Sequence, residues 1–213
     1  AGNDYIDGGS GFDTVDFSDS TNKTVVDLSN HYANSADGYD QLWNIENIIG
    51  SSSALGDTLI GNELANTIIG SATGSDTLSG LDGNDTLDGR GYLGGVLTDS
   101  PMSKDWVDYG YASVGATINL TAGTASVTAT DQDTLISIEN VLGSSHDDVI
   151  IGKSGVVNTL RGMAGNDTFF LHNDGDVVDG GSGNDTADYS LYSGKVNVTL
   201  GGSNIDNLTS IEN

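Results

Sequence analysis

The chain has no cysteine, a single proline, six basic residues against 31 acidic ones, and no long apolar run. Each shortage closes a class of answers. Without cysteine there is no disulfide, no thiolate metal site and no cysteine nucleophile. A formal charge of −25 over 213 residues repels phosphate backbones, whose binding rests on Lys and Arg, so nucleic acid and anionic membranes are excluded as partners. No stretch approaches the roughly 18 apolar residues of a bilayer-spanning helix, so direct membrane insertion is not expected. The opening residues AGNDYIDGG carry neither the charged nor the apolar region of a secretion signal. Leu, Ile, Val and Phe make up about a quarter of the chain, near the border below which a highly charged chain stays disordered. What is abundant is glycine, at 31 residues, and that fits poorly with a helical globule and points to something periodic.

The period is nine to ten residues: a turn ending in Asp or Asn, then a short strand with an apolar residue two places later. One stretch runs Asp57, Asn66, Asp76 and Asp85, followed by Leu59, Ile68, Leu78 and Leu87. A second runs Asp148, Asn158, Asp167, Asp176 and Asp185, followed by Ile150, Leu160, Phe169, Val178 and Ala187, and a third gives Asp4 and Asp13 with Ile6 and Val15. A longer module of roughly ninety residues contains each stretch. It continues through an alternating strand at residues 24–28, 116–120 or 195–200 and an Ile-Glu-Asn signature at Ile45, Ile138 or Ile211. Three modules are expected: a partial one at 1–47, a full one at 48–140 with an inserted loop at 89–104 that holds the proline, and a third at 141–213 ending on its signature. Because the chain opens partway through a module, a piece of a longer array is expected.

A six-residue turn plus a three-residue strand, taken twice, closes a coil of about 18 residues, and successive coils stack as parallel strands about 4.8 Å apart. Only the middle residue of each strand points inward, so one apolar residue in nine suffices for the core. Stacking also sets Asp57 against Asp76, Asp148 against Asp167, and Asp167 against Asp185. Two carboxylates about 5 Å apart repel by roughly 3 kcal/mol at an effective dielectric of 20. Several such pairs would cancel the stability of a typical domain, so the fold needs a counter-ion. Calcium suits it, accepting six to eight oxygen ligands in loose geometry from carboxylates and glycine-freed carbonyls, whereas magnesium holds its water and zinc wants His or Cys.

The stretches Gly-Leu-Asp-Gly-Asn-Asp-Thr-Leu-Asp at 80–88, Gly-Met-Ala-Gly-Asn-Asp at 162–167 and Gly-Gly-Ser-Gly-Asn-Asp-Thr-Ala-Asp at 180–188 resemble the nonapeptide repeats of RTX proteins. The resemblance implies an all-β, right-handed parallel β-roll or β-solenoid with stacked calcium-binding turns, several Ca2+ ions, and export by type I secretion to the bacterial cell surface or medium. By that family's pattern the sixth turn residue is the side-chain ligand, here Asp4, Asp13, Asp76, Asp85, Asp167, Asp176 and Asp185, with Asp57 and Asp148 as weaker openings of their stretches. Carbonyl ligands fall at second positions such as Gly9 and Gly181 and at the fourth positions Gly11, Gly74, Gly83, Gly165 and Gly183. Asn66 and Asn158 replace the Asp and Asp174 replaces the Gly, so those sites are expected to bind weakly or stand empty.

No enzyme chemistry is expected. His31, His146 and His172 lie far apart and form no His-Glu-x-x-His pair. The acid pairs Asp13/Asp16, Asp105/Asp108 and Asp185/Asp188 are poor general acids if calcium lowers their pKa values. The functional expectation is a calcium-dependent structural segment of an adhesin or surface-layer protein. The alternatives are a noncatalytic polysaccharide-binding module, with Trp43, Trp106, Tyr109, Tyr111, Tyr189 and Tyr192 as candidate stacking residues, and the secretion or folding tail of an RTX toxin, protease or lipase. Calcium, neighbouring copies and cell-surface polysaccharide are the candidate partners.

Overall fold

Turn residues and single apolar residues at this spacing build what elementary strand geometry asks of them. In the computed structural model, which describes residues 2–172, 175–194 and 207–213, most strands are three residues long and the middle side chain of nearly every repeat strand is buried. Leu59, Ile68, Leu78, Leu87, Ile150, Leu160, Phe169 and Val178 are all fully buried and form the core with Val26, Ile48, Val107, Ile118 and Val141. Among the described residues there are strands and turns and no helix. The alternating segment at 195–200 and the departure at Asp174 lie outside the described residues.

The chain divides into two compact units, Ala1–Val107 with Thr130–Ile138, and Asp108–Ala129 with Glu139–Asn213. Each is built on two mostly parallel sheets, an arrangement of the solenoid type. In the first unit Val25–Asp27, Thr58–Ile60, Thr77–Ser79 and Trp106–Asp108 are successive neighbours in one sheet. Thr14–Asp16, Asn47–Ile49, Thr67–Ile69, Thr86–Asp88 and Asp131–Ile136 succeed one another in the other. The register is that of the repeat: Leu59 lies opposite Leu78, Ile48 opposite Ile68, and Ile68 opposite Leu87. In the second unit Asn140–Leu142, Thr159–Arg161, Val177–Asp179 and Asn207–Thr209 form one sheet. Thr117–Asn119, Val149–Ile151, Thr168–Phe170 and Thr186–Asp188 form the other, with Ile150 opposite Phe169 and Phe169 opposite Ala187.

The linking segments depart from simple coiling. Tyr32–Ser35 runs antiparallel between Val25–Asp27 and Gly38–Trp43, a meander inside an otherwise parallel sheet, and Thr124–Thr128 pairs antiparallel with Thr117–Asn119. Residues 89–104 carry an antiparallel hairpin, Gly91–Leu93 with Val96–Thr98. Its connection is Gly94-Gly95, both at positive φ (61° and 79°), as a tight turn matched to strand twist requires. Tyr109 is fully buried, so it belongs to the core and not to any exposed aromatic face.

Candidate metal centres at the stacked turns

Each turn delivers its last residue to the head of the next strand, and the parallel register lays that residue over its equivalent one coil away. The main-chain N–H of one then donates to a carboxylate oxygen of the next: Asp57 to Asp76 Oδ1 (2.6 Å), Asn66 to Asp85 Oδ1 (2.7 Å), Asp148 to Asp167 Oδ1 (2.8 Å), Asn158 to Asp176 Oδ1 (2.8 Å) and Asp167 to Asp185 Oδ1 (2.8 Å). The three stacked pairs expected from the spacing are therefore adjacent. Asp57, Asp76, Asp85, Asp148, Asp167, Asp176 and Asp185 are all buried. Asp4 is exposed, and its N–H donates to Asp40 Oδ1 at 2.9 Å.

Four turns share one backbone signature. Their second residue is left-handed, at φ 88° for Gly9, 69° for Leu81, 80° for Met163 and 94° for Gly181. Their fourth residue is a glycine at φ 136°, 142°, 122° and 149°, for Gly11, Gly83, Gly165 and Gly183, a region essentially closed to other residues. A side chain on Gly165 would also strike the main chain of His146, and one on Gly183 that of Gly165, so these turns stack backbone on backbone. Gly74, expected to fill the same role, is not left-handed and packs against Gly56. The glycine opening each turn serves the carboxylate: a Cβ on Gly80, Gly162 or Gly180 would overlap Asp85, Asp167 or Asp185.

In these four turns one carboxylate oxygen has no partner. Oδ2 of Asp13, Asp85, Asp167 and Asp185 is buried and accepts no hydrogen bond. The ion pairs Arg90–Asp88 at 2.7 Å and Lys153–Glu139 at 3.2 Å engage other carboxylates. Burial pushes the Asp85 carboxyl up to about 7, with the Asn66 N–H opposing and Asp133, Asp131 and Asp82 reinforcing. Burial likewise pushes Asp167 up to about 7, opposed by the Asp148 N–H and reinforced by Asp148, Asp185 and Asp147. Asp185 and Asp148 are raised for the same leading reason. The depressed carboxyls expected from sequence presuppose a bound cation; with protein alone, desolvation wins.

The turns ending at Asp57, Asp76 and Asp148 are built differently, because a serine follows the opening glycine. Ser51 N–H donates to Asp57 Oδ2 (2.5 Å) and its hydroxyl to Oδ1 (2.8 Å). Ser144 does the same to Asp148, at 2.6 and 2.8 Å. Ser71 donates from its N–H to Asp76 Oδ2 and from its hydroxyl to Oδ1 at 2.9 Å. Burial still raises Asp76 to about 6, against the N–H groups of Ser71 and Asp57 and the Ser71 hydroxyl. At the two Asn positions the side-chain amide closes the turn. Asn66 Oδ1 accepts from the Asn62 N–H (2.8 Å) while Nδ2 donates to the Glu46 carbonyl (2.8 Å). Asn158 accepts from the Lys153 N–H (2.8 Å) and donates to the Glu139 carbonyl (2.6 Å).

Several members of this ladder escape the nonapeptide pattern. Glu46 and Glu212 of the Ile-Glu-Asn signatures stand in for a turn aspartate, accepting at Oε2 from the N–H of Asp13 and Asp185, each at 2.8 Å. Asp105 and Asp133 do the same for Asp76 (2.8 Å) and Asp85 (2.9 Å). Asp131 is buried with both carboxylate oxygens unpartnered, and burial, with Asp133 and Asp82 nearby, raises it to about 6. The recurrent signature after a left-handed residue, Asn44, Ser137 or Ser210, was the signal that could have marked Glu46 and Glu212.

A hard divalent cation fits this donor set: it is oxygen-only, it holds buried anionic atoms lacking any partner, and glycines keep side chains out of the cradle. No three acidic or histidine side chains among the described residues converge on one point, so such an ion would take much of its shell from main-chain carbonyls. Calcium's high, loose coordination allows that.

Residues 1–15, 72–91 and 157–187 match the RTX calcium-binding nonapeptide repeat, in four copies. All four turns with the left-handed signature lie in these stretches, whereas the turns ending at Asp57 and Asp148 lie outside them. No curated protein is significantly similar to the chain. Helix-free, mostly parallel strands carry the four matched copies, and the match and the fold together support an RTX-type β-roll repeat segment.

Proposed function

We propose that the chain is a calcium-rigidified structural segment of an exported bacterial surface or secreted protein, of adhesin or surface-layer type, wound as a right-handed roll from the modules 1–47, 48–140 and 141–213. The carrying observation is the unpartnered buried oxygen on Asp13, Asp85, Asp167 and Asp185. Those carboxylates would hold the ions, with carbonyls of Gly9, Gly11, Gly83, Gly165, Gly181 and Gly183 completing the shell, and the ion would supply the positive charge that the turns lack. The chain's own part is to present the oxygens at a fixed spacing and to exclude water from them. Each filled site adds RT ln(1 + [Ca]/Kd), roughly 2.7 kcal/mol at a hundredfold excess over Kd. At submicromolar cytosolic calcium the open turns repel and their coils stay loose, which favours export through a type I channel; at millimolar external calcium they rigidify.

Circular dichroism and thermal melts with millimolar calcium and after chelation test this. A large loss of strand signal and a lower Tm on chelation are expected; identical spectra and melting in both media would overturn the proposal. A polysaccharide-binding role is the second reading, favoured by two ring pairs in the first unit, His31 on Trp43 (centroids 4.2 Å) and Tyr32 on Tyr39 (5.6 Å).

A further inference from the structure

The aspartate turns differ in how many protein donors each carboxylate collects. Asp57 takes three: the Thr24 N–H (2.8 Å) and the Ser51 hydroxyl (2.8 Å) on Oδ1, and the Ser51 N–H (2.5 Å) on Oδ2. Asp148 takes three in the same pattern, from the Ala116 N–H (2.7 Å), the Ser144 hydroxyl (2.8 Å) and the Ser144 N–H (2.6 Å). Asp76 takes three from the Asp57 N–H and from Ser71. Asp85, Asp167 and Asp185 each receive an N–H from the previous coil on Oδ1, while Oδ2 accepts none. Backbone conformation divides them the same way: Leu81, Met163 and Gly181 are left-handed where Ser51, Ser71 and Ser144 are not.

We infer that serine takes the place of an ion in the turns ending at Asp57, Asp76 and Asp148, and that calcium binds instead at turns without that serine, those ending at Asp13, Asp85, Asp167 and Asp185. The inference rests on the calcium reading above and divides its sites. It withdraws Asp57, Asp76, Asp148 and Gly74 from the metal ligands expected from sequence. Hydrogen bonds to a charged acceptor are the strong ones, and three of them leave both oxygens engaged, so an ion entering such a turn would have to displace donors already in place. Asn66 and Asn158 complete the picture: each amide oxygen accepts a main-chain N–H while the NH2 donates to a carbonyl one coil away, so the amide closes the turn without a cation. Coils that close themselves are consecutive in each unit, over Asp57, Asn66 and Asp76 in the first and over Asp148 and Asn158 in the second. They form a metal-independent nucleus beside the metal-dependent turns.

Hydrogen exchange of the full chain, read by mass spectrometry in millimolar calcium and after chelation, separates the two kinds of turn without any variant. On chelation, the strands Thr58–Ile60, Thr67–Ile69 and Thr77–Ser79 keep their protection within about tenfold, while Thr168–Phe170 and Thr186–Asp188 lose about a hundredfold, the equivalent of one site's occupancy at a hundredfold excess over Kd. Calcium counted by equilibrium dialysis falls by one ion in Asp167→Asn and is unchanged in Asp57→Asn and Ser71→Ala. Protection lost equally in both sets, or an ion lost in Asp57→Asn, overturns the inference and leaves the calcium reading standing. No bound calcium in the unaltered chain, with equal protection in both media, overturns the calcium reading itself.

Discussion

The turn ending at Asp76 and the turn ending at Asp167 start from the same plan. Each opens on a glycine whose Cβ would meet the carboxylate, each ends in a buried aspartate that accepts an N–H from the previous coil, and each feeds a three-residue strand with a buried apolar centre. They differ in length, seven residues from Gly70 to Asp76 against six from Gly162 to Asp167, and in the residue that follows the glycine. After Gly70 comes Ser71, which donates twice to Asp76; after Gly162 comes Met163, left-handed at φ 80°, and Oδ2 of Asp167 is left without a donor. A buried charge can be satisfied by hydrogen bonds or by a counter-charge, and a serine after the opening glycine supplies the hydrogen bonds.

The largest expected break in that comparison comes from pH. In the ion-free protein Asp85 and Asp167 titrate near 7, above their unfolded value of 3.8, so the folded chain binds more protons than the unfolded chain between those limits. The stabilisation is fully present below about pH 4 and is lost as pH rises through about 7. The Tm of metal-stripped protein should therefore rise as pH falls from 8 to about 5, whereas in saturating calcium protons compete with the ion and the rise should vanish or invert; a Tm that falls with acid in both conditions would contradict it.

Next in size is the exchange of carboxylate for amide. Asp167→Asn should cost about 2.7 kcal/mol in excess calcium, the worth of one site at a hundredfold saturation, and should be neutral or stabilising in chelator, where an uncompensated buried charge is removed. Asp76→Asn should cost about 2 kcal/mol in both media, because its new NH2 faces the Ser71 N–H, donor against donor. Paired denaturant melts measure both, and equal calcium dependence of the two variants would erase the distinction. Smaller again, Ser71→Ala removes one hydroxyl bond and should cost about 1 kcal/mol with or without calcium. Smallest, Met163→Gly relieves a left-handed residue whose side chain is exposed and should gain about 0.5 kcal/mol in calcium melts.

The coil was legible because its rule is local. A turn residue and an apolar residue two places later, at fixed spacing, suffice to assign Leu59, Leu78, Leu160 and Phe169 to the core and to stack Asp57 on Asp76 and Asp167 on Asp185. What escaped depends on long-range register or on chemistry that spacing does not encode. Asp133 meets Asp85, and Glu46 meets Asp13, across 48 and 33 residues, and nothing local at Asp133 marks it as a turn equivalent. The antiparallel meander at Tyr32–Ser35 is hidden because its strands alternate like their parallel neighbours. Serine occurs in turns of every kind, so Ser51, Ser71 and Ser144 gave no signal until their hydroxyls were seen on the carboxylates. Asn66 and Asn158 read as weakened sites, yet each amide has its own use.

The spacing of the aspartate ladder also has a mechanical meaning. Asp167 and Asp185 are 18 residues apart in the chain and adjacent in the stack. Under tension, breaking that one link frees about 60 Å of contour length, at roughly 3.4 Å per extended residue. On the calcium reading proposed above, each rung would act as a sacrificial fastener that yields a fixed increment of slack, and the concentration of dissolved cation would set how hard the open rungs resist.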